Sequence, residues 1–346
     1  MRRTALCGYW GLGVFAAVLF SCNCRAAAQT SNVPSPQSTL AGPVEGSQNT
    51  SPLVRASVAE GLDGYLTPKS VPSLLAAAGD EYRLVRVRAA ATLAALPAGE
   101  LPDKPRQDLE RATDELLAVS RARPDDSASH HNLGNFCAAR REYDRAIACY
   151  ERAFQLLPDN IAPLVNASLA HNVAGHNDKA EECLRRALKV EPANAVANLN
   201  LGLLLGELGR RGEAEAALRA AFAADPQSAT AAYNLAVLLA QDRPEEAVDW
   251  CRKAFELRPR EPKYAYTLAF YLRQRGDSEE AIHVLRALTE TDAAYADAYA
   301  LLGQMYEEQR RADEAVELYR RAAQNTRLPE SVRKGFAARG DALEQP

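Results

Sequence analysis

Residues 195–226 read AVANLNLGLLLGELGRRGEAEAALRAAFAADP, and this stretch shows the pattern that decides the fold. Its first half places apolar residues at the three- and four-residue spacing of a helix, with a small residue at Gly202. Its second half continues that spacing through Leu218 and Ala221 and closes on Pro226, which lacks the N–H group that would prolong a helix. The stretch therefore predicts two helices that approach each other closely at the small residue.

The same pattern, about 34 residues long, occurs six times between Ser127 and Arg327. Four units carry an asparagine at the same point, namely Asn132, Asn166, Asn200 and Asn234. A small residue follows two positions later in all six units: Gly134, Ser168, Gly202, Ala236, Ala269 and Gly303. A unit of this length cannot bury its apolar face alone, so stacked units must share one core.

These spacings resemble the tetratricopeptide repeat family. The resemblance implies an all-α protein, a right-handed α-solenoid with six stacked helix hairpins at residues 125–327. It also implies that the first helix of each hairpin lines a concave groove. An amphipathic stretch within residues 328–346 is expected to form a capping helix, because the last unit of an array needs a polar outer face.

A second repeat lies upstream. The segment Leu53–Leu62 recurs 31 residues later as Leu84–Leu93, and both copies carry Val-Arg before an alanine-rich stretch. This segment, residues 53–96, resembles HEAT repeats. Residues 97–124 are predicted to form a linker and a degenerate half of a tetratricopeptide unit. The order of the two repeat types also resembles the C-terminal, non-haem half of exported multihaem cytochromes.

The N-terminus has the features of an export signal. Two arginines follow Met1, an apolar stretch follows them, and small residues precede Gln29, so residues 1–28 are predicted to be a signal peptide. A second cleavage pattern ends at Cys22 and resembles a bacterial lipoprotein signal, which makes Cys22 a lipidation candidate. Residues 29–52 are rich in Ser, Pro, Gln and Gly and are expected to be a flexible linker. The predicted location is the periplasm, or the membrane through a lipid anchor.

Composition and motifs exclude several function classes. The net charge of −4 over 346 residues provides no basic surface for nucleic acid. No metal-ligand spacing, phosphate-binding loop or nucleophile motif is present, so no enzyme activity, cofactor or metal is predicted. Charged residues such as Glu181, Arg185 and Arg186 are expected on solvated helix faces, paired at a spacing of four.

The cysteines are expected to serve as small core residues. Cys137, Cys149, Cys183 and Cys251 follow the signal region. Cys149 and Cys183 lie one repeat apart on neighbouring helices, whose axes are about 8–10 Å apart. That separation is wide for a disulfide, whose Cα atoms lie within about 7 Å of each other.

Helical phase predicts which first-helix residues line the groove. The predicted apolar residues are Val165, Leu169, Leu199, Leu203, Tyr233, Val237, Tyr266 and Phe270. The four asparagines of the repeats complete the predicted site. An exposed apolar stripe of this size marks a binding surface. Two alternatives stay open: a tight superhelix buries part of the stripe, or the tail of the chain fills it.

Two groove chemistries of the family can be compared with these residues. Tetratricopeptide domains that clamp a C-terminal carboxylate carry lysine and arginine where this chain has Val165, Leu199 and Tyr233, so that mode is excluded. The asparagines resemble the ladder of the O-linked N-acetylglucosamine transferase superhelix, which holds a peptide backbone. The glycosyltransferase domain is missing, so no transferase activity follows. The alternative role of these asparagines is internal helix packing.

The predicted function is that of a non-enzymatic scaffold or assembly factor of the cell envelope. It is predicted to bind a segment of a protein partner in the groove. It is not expected to bind nucleic acid, and it is expected to contact the membrane only through a lipid anchor. One alternative is an accessory module, or a remnant, of a multihaem redox complex. The other is an enzyme with an unrecognised site.

Overall fold

The computed structural model of the protein describes residues 47–62 and 66–344. In these two ranges all regular structure is helical and no strand occurs, which confirms the prediction of an all-α chain. The predicted signal peptide at 1–28, with the lipidation candidate Cys22, lies outside the described residues. Most of the predicted linker at 29–52 lies outside them too.

Four helices precede the hairpins: α1 (Pro52–Gly61), α2 (Ser70–Ala78), α3 (Arg83–Thr92) and α4 (Asp103–Arg121). Two hairpins follow, formed by α5 (Ser127–Ala139) with α6 (Tyr143–Leu156) and α7 (Ala162–Val173) with α8 (Asn177–Val190). The next two pair α9 (Ala195–Glu207) with α10 (Arg211–Ala224) and α11 (Ala229–Leu239) with α12 (Pro244–Leu257). The last two pair α13 (Pro262–Arg275) with α14 (Ser278–Thr291) and α15 (Ala296–Glu308) with α16 (Ala312–Gln324), and α17 (Glu330–Glu344) follows. The second helices of the first four hairpins end two residues before a proline, as predicted.

The chain divides into two compact units, which we call unit 1, up to Pro192, and unit 2, from Ala193. In unit 1 a single cluster of buried side chains runs from Ala59 in α1 to Cys183 in α8. In unit 2 a second cluster runs from Ala236 in α11 to Phe336 in α17. Each core therefore passes through several helices, and the hairpins within a unit depend on their neighbours for burial.

The small residue of the hairpin lies where its two helices touch. A Cβ atom added at Gly134 would lie 2.5 Å from the Tyr150 ring, and one at Gly303 would lie 2.4 Å from the Tyr319 ring. At Gly202 the same atom would lie 2.6 Å from a leucine side chain. These distances are too short for any side chain, which confirms that close helix approach is the reason for the small residue.

The 31-residue sequence repeat is matched by repeated contacts of an arginine. The Nε and Nη2 atoms of Arg55 donate to the carboxylate of Asp80 at 2.8 and 3.0 Å. Its Nη1 atom donates to the carbonyl oxygens of Asn49 and Thr50 at 2.8 and 3.1 Å. The side chain of Asn49 accepts a bond of 2.9 Å from the Ser51 amide, which shapes the turn before α1.

Arg86, at the equivalent position of the second copy, makes the same set of bonds. Its Nε and Nη2 atoms donate to the Glu115 carboxylate at 3.0 and 2.8 Å, and its Nη1 atom donates to the carbonyl oxygens of Asp80 and Glu81, both at 2.8 Å. Asp80 also accepts a bond of 2.9 Å from the Tyr82 amide, as Asn49 does for Ser51. Arg55 thus joins the turn before α1 to the turn before α3, and Arg86 joins the turn before α3 to helix α4. The HEAT-like class of this segment stays a prediction.

Charged residues on the second helices pair across hairpins as well as within one helix. Arg185 binds Glu181 one turn away, as expected, with its Nε donating at 2.8 Å. Its neighbour Arg186 instead donates through both Nη atoms, at 2.7 and 2.9 Å, to Glu151 in the preceding hairpin. In unit 2, α10 and α12 are joined in the same way by Arg219 and Glu246. The expectation of pairing only within helices is therefore incomplete.

Helix α17 covers the last hairpin of unit 2. Phe336 stacks on the Tyr319 ring with centroids 5.8 Å apart and planes inclined by 19°. Arg339 donates to Glu307 at 2.8 and 3.1 Å, and the Tyr319 hydroxyl also donates to Glu307. Burial opposes ionisation of Glu307, but these bonds outweigh it and hold the pKa of its carboxyl below the usual value. The end of the array is thus held by a stacked ring pair and a charge-assisted cluster.

Candidate functional site

The first helices of successive hairpins lie side by side, α5 with α7 in unit 1, and α9 with α11 and α13 with α15 in unit 2. We call the residues predicted to line the groove the first-helix face of each unit. In unit 1 this face comprises Asn132, Val165, Asn166 and Leu169. In unit 2 it comprises Leu199, Asn200, Leu203, Tyr233, Asn234, Val237, Tyr266 and Phe270.

The apolar residues of these faces are less accessible than an open stripe requires. Four are buried, each with at most 8 % of its surface exposed: Val165, Leu199, Leu203 and Tyr233. Three are half-buried: Leu169, Val237 and Tyr266. Phe270 alone among these eight is exposed, at 37 %. The prediction of an exposed apolar stripe is wrong at the four buried positions.

Neighbouring aromatic side chains cover much of the face of unit 2. The Tyr264 ring lies 5.1 Å from the Tyr233 ring between centroids, and the Lys263 ammonium lies 5.7 Å from the Tyr233 centroid. Further along, the Tyr295 ring lies 5.6 Å from the Tyr266 ring. Aromatic pairs and cation–π contacts at these distances are favourable. Tyr264 is not among the residues predicted for the face, and Tyr295 lies in the turn before α15, so the helical phase of the first helices did not predict these contacts.

In unit 1 the asparagine of the second repeat is bonded to the protein. The Nδ2 atom of Asn166 donates to His131 Nε2 at 2.8 Å and to Asn135 Oδ1 at 3.0 Å. The Tyr150 hydroxyl donates to the same Asn135 oxygen at 2.8 Å. Because Nε2 of His131 accepts, that ring is neutral, and burial lowers its pKa. Both amide hydrogens of Asn166 are therefore used within the protein. Asn132, at the equivalent position of the first repeat, is exposed.

The two asparagines of unit 2 differ from each other. Asn234 donates through Nδ2 to the carbonyl oxygen of Thr230, one turn earlier in its own helix, at 2.8 Å. Asn200 has only 6 % of its surface exposed, and its side chain has no hydrogen-bond partner in the described part of the chain. Asn200 therefore has both a donor and an acceptor to offer.

The amide of Asn200 also keeps some contact with solvent. Over residues 47–62 and 66–344, the side-chain nitrogen and oxygen atoms that are fully buried without a partner are Nδ1 of His171 and Nε of Arg333. The amide of Asn200 is not among them, so it still contacts solvent.

Two further features of the described residues bear on function. No three His, Cys, Asp or Glu side chains there lie close enough together to hold a metal ion. No helix within the same ranges has the length and apolar character needed to cross a membrane.

Two models of the same repeat family match the chain. One tetratricopeptide repeat model matches residues 127–160. Another matches residues 167–210, 199–262 and 266–329. Together they cover more than half of the sequence.

The chain belongs to the tetratricopeptide repeat family. The predicted resemblance is thereby confirmed for the hairpin array. Tetratricopeptide repeat proteins are typically scaffolds that bind peptide or protein partners. The matches do not extend to residues 53–96, so the HEAT-like segment and the resemblance to multihaem cytochromes stay predictions.

Solved structures of tetratricopeptide repeat proteins are similar to this chain. PilF of Pseudomonas aeruginosa shares 19 % identity, covers 63 % of this chain and 99 % of its own, and has a TM-score of 0.50. YrrB, described as having an unusual peptide-binding site, shares 19 % identity over 53 % of this chain and 95 % of its own, with a TM-score of 0.43. MamA from Desulfovibrio magneticus RS-1 shares 23 % identity over 48 % of this chain and 95 % of its own, with a TM-score of 0.44. No curated protein sequence matches. At these identities the likeness shows the fold alone.

Proposed function

We propose that this tetratricopeptide repeat chain is a non-enzymatic scaffold, and that the first-helix face of unit 2 binds an extended segment of a partner protein. The observation that carries the proposal is the unpaired amide of Asn200. An extended main chain offers a carbonyl and an N–H group, which together match the donor and acceptor of one amide. Asn166 uses both of its amide hydrogens within the protein and Asn234 uses one, so these equivalent asparagines contribute less to this recognition.

The free energies of a hydrogen bond and of association show that Asn200 and the apolar residues have different roles. A hydrogen bond contributes about 1 kcal/mol net, whereas association costs an estimated 4–15 kcal/mol. Asn200 therefore fixes the register of the bound segment, and apolar contact must supply most of the affinity. Leu199 and Tyr233 are already buried, so they lose little further surface on binding. Phe270, with the half-buried Tyr266 one turn earlier in α13, offers apolar surface that a partner can still cover.

Replacing Asn200 with alanine is expected to weaken peptide binding by about tenfold, because one donor and one acceptor are lost. The probe is a peptide selected from a displayed random library on the purified chain, and its dissociation constant is measured by fluorescence anisotropy. The same substitution should not lower the melting temperature, since it removes an amide that has no partner in the protein.

Asn234→Ala is the matched control. Its amide donates to Thr230 in its own helix, so its loss should change peptide affinity by less than about twofold. Equal losses from the two substitutions, or a drop in stability from Asn200→Ala, would show that Asn200 serves helix packing instead.

We further propose that the chain is exported and acts in the cell envelope. The support is the charged start, the apolar stretch and the small residues that precede Gln29, together with the alternative cleavage pattern at Cys22. The mature protein should begin at Gln29, or at Cys22 with the added mass of a lipid. Mass spectrometry of the N-terminal peptide from cell fractions distinguishes the two. Intact Met1 in the cytoplasmic fraction would exclude both.

A further inference from the structure

A hydrogen-bonded cluster in unit 1 contains a histidine, the side chain whose charge ordinarily changes near neutral pH. The cluster consists of His131, Asn135, Tyr150 and Asn166, and we call it the His131 cluster. Nδ2 of Asn166 donates to His131 Nε2 at 2.8 Å and to Asn135 Oδ1 at 3.0 Å, and the Tyr150 hydroxyl donates to the same oxygen at 2.8 Å. All three bonds have a defined direction while His131 is neutral.

Few other ionisable groups face His131. From α6 the Tyr150 ring lies 5.8 Å from the His131 ring between centroids, and burial raises the pKa of its hydroxyl, so Tyr150 stays neutral. From α7 the facing group is the amide of Asn166, which does not titrate. The neighbouring His130 instead has its Nε2 atom 2.9 Å from the carbonyl oxygen of Pro124. Within the described part of the chain, no charged side chain of α4 or of the turn after it shifts the pKa of His131, which burial lowers.

Protonation of His131 is incompatible with the present directions of these bonds. The new hydrogen on Nε2 would point at the NH2 group of Asn166, and two donors cannot share a bond of 2.8 Å. The amide of Asn166 must therefore turn and offer its oxygen. That oxygen then faces the oxygen of Asn135 across the 3.0 Å contact, so the amide of Asn135 must turn as well. It then donates to Asn166 and to the Tyr150 hydroxyl.

We propose that protonation of His131 reverses the three hydrogen bonds of the His131 cluster, which makes the cluster a pH-sensitive switch. In the neutral form, Oδ1 of Asn166 and Nδ2 of Asn135 have no hydrogen-bond partner among the described residues. Asn135 is exposed, and Oδ1 of Asn166 is not fully buried, so both atoms are open to solvent. The reversal exchanges them: Asn166 then presents two donors, and Asn135 presents an acceptor. A ligand bonded to one arrangement would meet like groups in the other.

The switch operates below neutral pH. An exposed histidine titrates at about pH 6.5. Burial favours the neutral ring, and the reversal also takes the acceptor away from the Tyr150 hydroxyl hydrogen, so the folded chain is protonated at a lower pH. The unfolded chain takes up the proton first as the pH falls. Unit 1 is therefore expected to lose stability from about pH 6.5 downwards, until His131 is protonated in the folded chain as well.

The test is nuclear magnetic resonance of the purified chain, with nitrogen-15 in its histidine and asparagine side chains, over about pH 8 to about pH 5. At the upper limit we expect the ring proton of His131 on Nδ1. The amide signals of Asn135 and Asn166 should shift with the same midpoint as the His131 ring, below about pH 6.5. In His131→Gln these shifts should be absent. Amide signals that do not follow the ring, or a neutral ring with its proton on Nε2, would overturn the proposal.

Two further variants test the contact between His131 and Asn166, independently of the proposed peptide binding in unit 2. Asn166→Asp replaces an amide by a carboxylate, which only accepts, so the pKa of His131 should rise by about 1–3 units. Asn132→Asp is the matched control, because it adds the same charge at an exposed position of α5 and should raise that pKa by less than about 0.5 unit. Equal shifts from the two variants would show that His131 responds to surface charge and not to its bond with Asn166.

Discussion

Gly303→Ala is expected to destabilise unit 2 by about 3 kcal/mol, although alanine is the better helix former. The added methyl group would lie 2.4 Å from the Tyr319 ring, well inside van der Waals contact. Tyr319 cannot move aside, because it is fully buried and stacked on Phe336. The two helices of the hairpin must therefore separate. Urea unfolding followed by circular dichroism measures the change.

Gly335→Ala in α17 is the matched control for this prediction. Gly335 also lies inside a helix, but no atom would come within 4 Å of an added Cβ. The same substitution should therefore stabilise the protein by about 0.5–1 kcal/mol through helix propensity. If Gly303→Ala were neutral or stabilising as well, close helix packing would not be the reason for glycine at that position.

Phe336→Ala is expected to cost about 3–4 kcal/mol of stability, because it removes a large side chain that is only 7 % exposed. The centroid of its ring lies 5.8 Å from that of Tyr319 and 6.1 Å from that of Tyr299. Removing the ring would therefore expose both tyrosines to water. Helix α17 should detach from α16 first. Limited proteolysis at Arg339, combined with thermal melting, would detect this local opening.

Lys334→Ala tests whether the effect is specific to the buried ring. Lys334 lies in the same helix and forms an exposed pair with Glu330 one turn away. Exposed pairs of this kind contribute about 0.3–0.5 kcal/mol, so the melting temperature should hardly change. Comparable losses from the two substitutions would mean that α17 is held by its surface charges.

The positions of the helix hairpins could be predicted because their signals are local. Each signal depends on residues close together in the sequence: the helical period of the apolar residues, a small residue such as Gly134, and a terminating proline such as Pro158. The structure accordingly ends α6 at Leu156, two residues before that proline. Close approach at Gly134 follows from the same pattern, since Tyr150 lies 16 residues after it, as Leu218 does after Gly202 and Tyr319 after Gly303.

The accessibility of the candidate site could not be predicted in the same way. Helical phase places Tyr233 correctly on a first helix, but it does not show that Tyr264 and Lys263 cover it. Burial depends on side chains that come from other helices and turns, such as Tyr295 over Tyr266. Such contacts have no constant spacing in the sequence.

The asparagines show most clearly that the partners of a side chain cannot be predicted from the repeat pattern. Asn166, Asn200 and Asn234 occupy equivalent positions of their repeats, yet their amides meet different surroundings. Asn166 donates a hydrogen bond to His131 on the neighbouring first helix, and Asn234 donates one to a carbonyl oxygen of its own helix. Asn200 makes neither of these hydrogen bonds. A repeat pattern predicts where such a side chain lies, but its partners are set by residues that vary from unit to unit.

A crystal structure of the chain with a library-selected peptide tests the central claim most directly. The account predicts an extended segment on the first-helix face of unit 2, with a main-chain carbonyl and N–H group bonded to the Asn200 amide and a side chain packed on Phe270. A peptide bound to the second helices α10, α12 or α14, with Asn200 still unpaired, would contradict it.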